Sequence, residues 1–169
     1  MASRHNEFEA GALAVIEKIR CRKKTGCHSN RENLVNAKTS TSGGFQTVVT
    51  ATLSVKDWEC AMEFYKNAFG ADELFRVEGG GVGQLAVAGA QFWVAEESKE
   101  HLNFSPESLS GCSVRMLLMV EDPAAIYAKA VAAGATGVVP VAEAYGWRIG
   151  RIVDPFGHHW EIARPTCSQ

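Results

Sequence analysis

The chain has 169 residues, of which 46% are apolar and 21% charged, and its formal net charge is −2. This length and composition describe one globular domain with an extension, and nearly exclude a multidomain protein; such a domain folds without a structural metal or disulfide. No window approaches the roughly 20 apolar residues that are needed to cross a bilayer.

Cysteine usage and the first residues favour a cytoplasmic protein. The five cysteines are odd in number and contain no Cys-x-x-Cys pair, which argues against a disulfide framework or a thiolate zinc site. Residues 1–11 lack the apolar stretch of a secretory signal. We therefore expect reduced thiols, a cytoplasmic location and no membrane partner.

The first 44 residues differ in charge from the rest of the chain. They hold 8 of the 17 basic residues and only 4 of the 19 acidic ones. The basic run at 20–24 can contact phosphates by releasing counterions, but it lacks the interleaved aromatic side chains of a single-strand binder, so we expect no nucleic-acid partner. We predict that residues 1–44 form a partly helical or flexible basic extension, and that one domain follows at 45–165.

From residue 45 onward the chain repeats one pattern at an offset of about 65 residues. A shared order of strand, helix and later strand is hard to obtain by chance. We therefore predict two related modules, at about 45–97 and 113–165. The matching segments are Leu53–Asp57 with Leu118–Asp122, Ala68–Ala71 with Ala132–Ala135, and Phe92–Ala95 with Trp160–Ala163.

Each copy begins with a strand followed by a capped helix. Asp57 and Asp122 can accept hydrogen bonds from the free N–H groups of the helices that follow, and Gly70 and Gly134 supply the stops. Three short strand patterns follow each helix. Apart from the opening strand of the second copy, the predicted strands are Val49–Val55, Glu73–Val77, Val82–Val87, Gln91–Ala95, Gly137–Val141, Arg148–Val153 and His158–Ala163.

These elements predict an α+β fold of two βαβββ modules, in which curved mixed β-sheets surround a groove and the helices lie outside. The pattern resembles the vicinal oxygen chelate superfamily, which includes glyoxalase I, extradiol dioxygenases, fosfomycin-resistance enzymes and bleomycin-resistance proteins. The likeness covers about 45–165, and its last part is similar to the bacterial PhnB-like branch. The segments that carry it are Val55–Asp57, Phe64–Ala71, Ala130–Ala135, Gly146–Arg151 and Asp154–Trp160.

The resemblance implies where a metal would be held. Metal-dependent members take one ligand from the first and one from the last strand of each module, and the metal acts as a Lewis acid. The matching positions here are Thr50, Trp93, Arg115 and Glu161, of which only Glu161 is a competent ligand. We therefore expect no metal cofactor; the alternative is a divalent Zn, Ni, Mn or Fe ion.

Charged side chains replace the missing ligands in this interpretation. We predict that Arg115 and Glu161 face each other across the groove as an ion pair. His159 lies two residues before Glu161 on a strand and therefore on the same face. His159 and Glu161 are the weak candidates for a reduced metal site and the candidates for acid–base catalysis; otherwise His159 is a hydrogen-bonded residue of a polar groove.

The predicted groove combines apolar walls, hydroxyls and charge, which suits a small aromatic or oxygen-rich ligand. Trp147 either adds a stacking surface or belongs to the core. The predicted ligand-binding residues are Thr50, Thr52, Trp93, Arg115, Leu117, Met119, Trp147, His159 and Glu161.

Two classes of function follow from the resemblance. The first is a metal-free protein that binds a small organic molecule, as bleomycin-resistance members do. The second is a glyoxalase-like lyase or isomerase, or a related enzyme, that works with an atypical metal site or by acid–base chemistry. Relatives usually form homodimers, with each groove built from one chain or from modules exchanged between chains, and the sequence leaves both arrangements open.

Overall fold

The computed structural model describes residues 47–166, and from Val48 onward these belong to one compact unit. The predicted basic extension at 1–44 lies outside the described residues. The elements are β1 (Thr52–Val55), α1 (Trp58–Phe69), β2 (Asp72–Val77), β3 (Val82–Val87), β4 (Ala90–Glu96), α2 (Pro106–Leu109), β5 (Arg115–Met119), α3 (Pro123–Ala132), β6 (Thr136–Ala144), β7 (Trp147–Val153) and β8 (His159–Pro165).

The strands form two four-stranded mixed sheets with the same topology. The first sheet has the order β1-β4-β3-β2 and the second β5-β8-β7-β6. In each sheet the opening strand pairs in parallel with the closing strand, and the other pairs are antiparallel. The predicted α+β fold of two βαβββ modules is thereby confirmed. The largest differences in bounds are that β1 begins only at Thr52 and that β6 continues to Ala144.

The helix signals of the sequence act as predicted. The Asp57 carboxylate accepts from the Cys60 N–H, and the Asp122 carboxylate accepts from the N–H groups of the first turn of α3. Gly70 ends α1 in the left-handed conformation at φ 68°, which a residue without a side chain adopts without strain. The end of α3 differs slightly, because Ala133 is the cap and Gly134 follows it.

The repeat extends to the way each helix packs on its sheet. Met62 and Tyr127 occupy equivalent positions, each five residues after its helix cap. Each lies over a glycine of the third strand of its module, since a Cβ on Gly83 would lie 2.6 Å from Met62 Cε, and one on Gly150 would lie 3.1 Å from Tyr127 Cδ2. Both glycines therefore allow a large helix side chain to approach the sheet closely.

An aromatic cluster joins the two modules through their helix-covered faces. Tyr65 and Phe69 of α1 lie 5.6 and 4.8 Å, between ring centroids, from Trp160 of β8. The sequence also predicts that Trp58 and Trp160 belong to the core, and Trp160 is indeed buried. The same expectation for Trp58 is wrong, because that ring is only partly buried and carries the Arg76 guanidinium 4.9 Å from its centroid.

A buried carboxylate lies at the centre of this junction. Asp154, only 4% exposed, accepts hydrogen bonds from Tyr65 Oη at 2.6 Å and Trp160 Nε1 at 2.9 Å. It also accepts from the backbone N–H groups of Phe156 and His158. Burial, followed by the neighbouring Asp154 charge, raises the pKa of Tyr65 well above its usual value, so the phenol stays protonated and donates. Asp154 therefore joins the first module to the second.

The helices cover one face of each sheet and leave the other face open. Within residues 47–166, the helices α1 and α3 meet each other, whereas neither sheet lays its open face on the other sheet. Several apolar side chains are accordingly exposed, among them Phe75 at 50%, Leu117 at 51% and Met119 at 61%. No helix in this part of the chain is long and apolar enough to span a membrane.

Candidate ligand-binding faces

The strand register defines two open faces. Residues that pair directly across a sheet project to the same side, so the register assigns every side chain to a face. The open face of the first sheet contains Thr52, Ser54, Trp93, Ala95, Gln84, Val82, Phe75 and Val77. The open face of the second sheet contains Arg115, Leu117, Met119, His159, Glu161, Ala163, Ile149, Arg151 and Val153.

An ion pair lies on the open face of the second sheet. Arg115 Nη1 lies 3.0 Å from Glu161 Oε1, and the two side chains are 31% and 19% exposed. The pair itself matches the prediction, but its predicted place is wrong. Arg115 and Glu161 belong to neighbouring parallel strands of one sheet, so they do not face each other across a groove.

Arg151 is the residue that sequence reasoning missed. It lies directly opposite Glu161 on the neighbouring strand β7, yet it is only 9% exposed. Its Nε is buried without a hydrogen-bond partner, and it forms no ion pair with any residue between 47 and 166. The alternation of β7 could have revealed it, since Arg151 is four residues beyond Trp147 and shares its face.

His159 lies beside both arginines. It is half-buried and pairs in the register with Arg115. Burial is the main cause that lowers its pKa, and the positive charges of Arg151 and Arg115 lower it further. The imidazole is therefore neutral at pH 7 and offers one N–H donor and one nitrogen acceptor.

The open face of the first sheet is aromatic and uncharged at its centre. Trp93 pairs with Thr52 and packs edge-on against Phe75, with 6.0 Å between the ring centroids. Thr50 lies before β1, is exposed, and donates from its Oγ1 to the Gln91 carbonyl at 2.9 Å. Its hydroxyl is therefore already used in a local contact.

Arg115, Arg151, His159 and Glu161 form a charged cluster on the second open face. Two other predicted residues, Trp147 and Met119, lie away from this cluster. Trp147 is at the far end of β7, opposite Pro165. Met119 lines a crevice of about 780 Å³ between the modules, together with Phe69, Val87 and Arg164. None of the charged residues Arg115, Arg151 and Glu161 lines this crevice, so the charged cluster and the crevice are separate features. The cluster is the better candidate site, because it carries the charge and the unpartnered donor.

The structure brings Arg115, Leu117, His159 and Glu161 together, joined by Arg151. It places Thr50, Thr52 and Trp93 in the other module. Two chemistries are available on the second face, namely charge-assisted hydrogen bonding from the guanidinium groups and proton transfer by His159.

The side chains do not fit the four-ligand metal cage that the resemblance implies. Arg115 places a cation at one ligand position and binds the carboxylate of Glu161, the one competent ligand among the four. Trp93 and Thr50 occupy the other two positions, in the first module. Between residues 47 and 166 no three His, Cys, Asp or Glu side chains are grouped to hold a metal ion.

Comparison with known proteins decides the family. The model of the Glyoxalase/Bleomycin resistance protein/Dioxygenase superfamily matches residues 47–162. The chain belongs to this glyoxalase superfamily. An uncharacterized Mycobacterium tuberculosis protein (strain ATCC 25618 / H37Rv) is 36% identical to it over 122 residues, which cover 68% of this chain and 72% of the relative.

Solved structures agree with the fold. An Arabidopsis thaliana gene product has a TM-score of 0.57 and 34% identity, and the match covers 71% of this chain and 99% of that one. The Listeria monocytogenes fosfomycin resistance protein FosX, as a mutant in complex with Mn(II) and 1S,2S-dihydroxypropylphosphonic acid, has a TM-score of 0.55. Its identity is 19%, with 70% of this chain and 90% of that one covered, so the likeness is one of fold.

Proposed function

We propose that this glyoxalase-superfamily protein binds a small organic molecule on its open sheet faces without a metal cofactor, and that it does so in the cytoplasm as a member of the PhnB-like branch. The observation that carries this proposal is the Arg115–Glu161 ion pair, because it occupies two positions that metal-dependent relatives use for ligands. The open faces supply aromatic, hydroxyl and charged groups around it. The similarity of residues 146–160 to the PhnB-like branch supports the assignment to that branch.

We further propose that the protein is a homodimer in which the first sheet of one copy faces the second sheet of the other. One chain leaves large apolar side chains exposed on both faces, including Phe75 on the first and Leu117 on the second. Pairing the two faces would remove these side chains from water and enclose a groove. It would also bring Trp93 of one copy opposite the charged cluster of the other.

The dimer gives the first test. We expect wild-type protein to elute as a dimer in size-exclusion chromatography with light scattering, and Leu117→Glu to shift it toward monomer, because the new carboxylate would be buried at the interface. Val131→Glu is the matched control, since Val131 is 41% exposed but lies on α3, which covers the opposite face of the second sheet. A wild-type monomer at tens of micromolar would contradict the proposal.

Ligand binding gives the second test. We expect at least one member of a panel of small aromatic and oxygen-rich compounds to change the tryptophan fluorescence of full-length protein, and we expect chelator treatment to leave this binding unchanged. Trp93→Phe should reduce the signal, whereas Trp58→Phe, which alters a ring that packs against the core, serves as the control. Binding that chelator abolishes, or one tightly bound metal equivalent per chain in tag-free protein, would refute the metal-free proposal.

One observation favours a second candidate, an acid–base enzyme acting on an activated carbonyl or thioether. His159 has a lowered pKa and lies on the same face as Glu161, so a neutral base and a carboxylate share one face. Metal-independent turnover of a carbonyl or hemithioacetal substrate that His159→Gln abolishes would select this alternative.

A further inference from the structure

The charged cluster on the second open face lacks a counterion. Arg115 is neutralised by Glu161, at 3.0 Å. Arg151 has no carboxylate partner in the described chain, although it is only 9% exposed. A charge this deeply buried is costly unless it is paired, and a buried donor without an acceptor adds to the cost. Both costs are removed together if an anion contacts the Arg151 guanidinium.

The neighbours of Arg151 define the charge of that anion. The cluster consists of two guanidinium groups, one carboxylate and the neutral imidazole of His159, so its net charge is +1. One negative charge balances it. Arg151 is flanked in the register by Glu161 on one side and Val139 on the other, and Val139 is 41% exposed. An organic anion with an apolar body therefore suits this surface better than a small inorganic ion.

We propose that Arg151 is the anchor for the carboxylate group of an organic monoanion, which deepens the proposed function and rests on it. A guanidinium offers two parallel N–H donors along its Nε–Nη edge, and a planar carboxylate accepts both. Binding would require this edge to face the ligand, which would then supply the missing acceptor of Nε. Arg115 and Glu161 remain paired beside it and fix the orientation of the ligand.

The decisive experiment compares benzoate with benzamide, its uncharged isostere, in calorimetric titrations of the full-length protein. We expect benzoate to bind and benzamide to bind about tenfold more weakly or not at all, since a charge-assisted bidentate contact is lost. Arg151→Gln should weaken benzoate binding by about tenfold or more, and Arg151→Lys should weaken it less. Arg148→Gln is the matched control, because Arg148 is exposed on the same strand and faces the other side.

The outcomes separate this inference from the proposed function. If uncharged compounds bind and benzoate does not, or if Arg151→Gln leaves benzoate binding unchanged, the carboxylate anchor is wrong while small-molecule binding stands. If phenylphosphonate binds ten times more tightly than benzoate, the assignment to carboxylates is wrong. If no compound binds at all, both proposals fail. The benzoate and benzamide comparison uses wild-type protein, so it decides the question even if Arg151→Gln does not fold.

Discussion

Asp154→Ala is expected to lower the free energy of unfolding by about 2–6 kcal/mol. The substitution leaves two buried side-chain donors, Tyr65 Oη and Trp160 Nε1, without their shared acceptor, and each such loss costs about 1–3 kcal/mol. The N–H groups of Phe156 and His158 lose the same partner, although they lie in a turn where water can replace it in part. Urea unfolding followed by circular dichroism measures the difference.

The matched control for this variant is Asp72→Ala. Asp72 is exposed at the start of β2, so its removal should change the free energy of unfolding by less than about 0.5 kcal/mol. The loss in the free energy of unfolding for Tyr65→Phe should lie between those of Asp154→Ala and Asp72→Ala, because this change removes one donor and leaves Asp154 with three. A free energy of unfolding for Asp154→Ala within 1 kcal/mol of wild type would show that the carboxylate does not join the modules energetically.

Gly150→Ala is expected to destabilise the fold by about 1–3 kcal/mol through overpacking. The added Cβ would lie 2.6 Å from Val141 Cγ2 and 3.1 Å from the Val141 backbone nitrogen, so the adjoining strand itself must shift. The equivalent change Gly83→Ala should cost less, because its close contacts are to Cε and Sδ of Met62, the flexible end of a long side chain.

Gly111→Ala completes this comparison. A Cβ on Gly111 has no atom within 4 Å, so we expect a neutral or slightly stabilising effect from the stiffer unfolded chain. In thermal unfolding we therefore expect the melting temperature to be highest for Gly111→Ala, lower for Gly83→Ala and lowest for Gly150→Ala. An equal decrease in the melting temperatures of Gly83→Ala and Gly150→Ala would mean that the flexibility of the Met62 side chain does not reduce the cost of the added Cβ.

Much of the fold was predictable because its signals are local and occur twice. The caps Asp57 and Asp122 and the strand patterns act within a few residues, and the repeat supplied the assignment of modules. The short helix α2 was not predicted, because it belongs to the linker between the copies and has no counterpart to compare with. Strand bounds were less exact where, as at Thr50, a polar and apolar alternation continues beyond the paired segment.

The site was only partly predictable because it depends on which strands become neighbours. Alternation placed His159 with Glu161, but only the pairing of β5 with β8 shows that Arg115 reaches Glu161 within one sheet. Alternation along β7 predicts the face on which Arg151 lies, but an arginine in a strand gives no sign of its burial or of its missing partner. The role of Asp154 could not be predicted, since the two rings that donate to it are brought there by tertiary packing.

The hydrogen bonds that join Tyr65 through Asp154 to Trp160 affect how cooperatively the two modules unfold. The first half of the duplicated sequence cannot satisfy the buried Tyr65 hydroxyl by itself, since the carboxylate that accepts from it belongs to the second half. Local opening of either half would expose the same shared centre to water. The two halves are therefore bound to melt together, as a single cooperative unit.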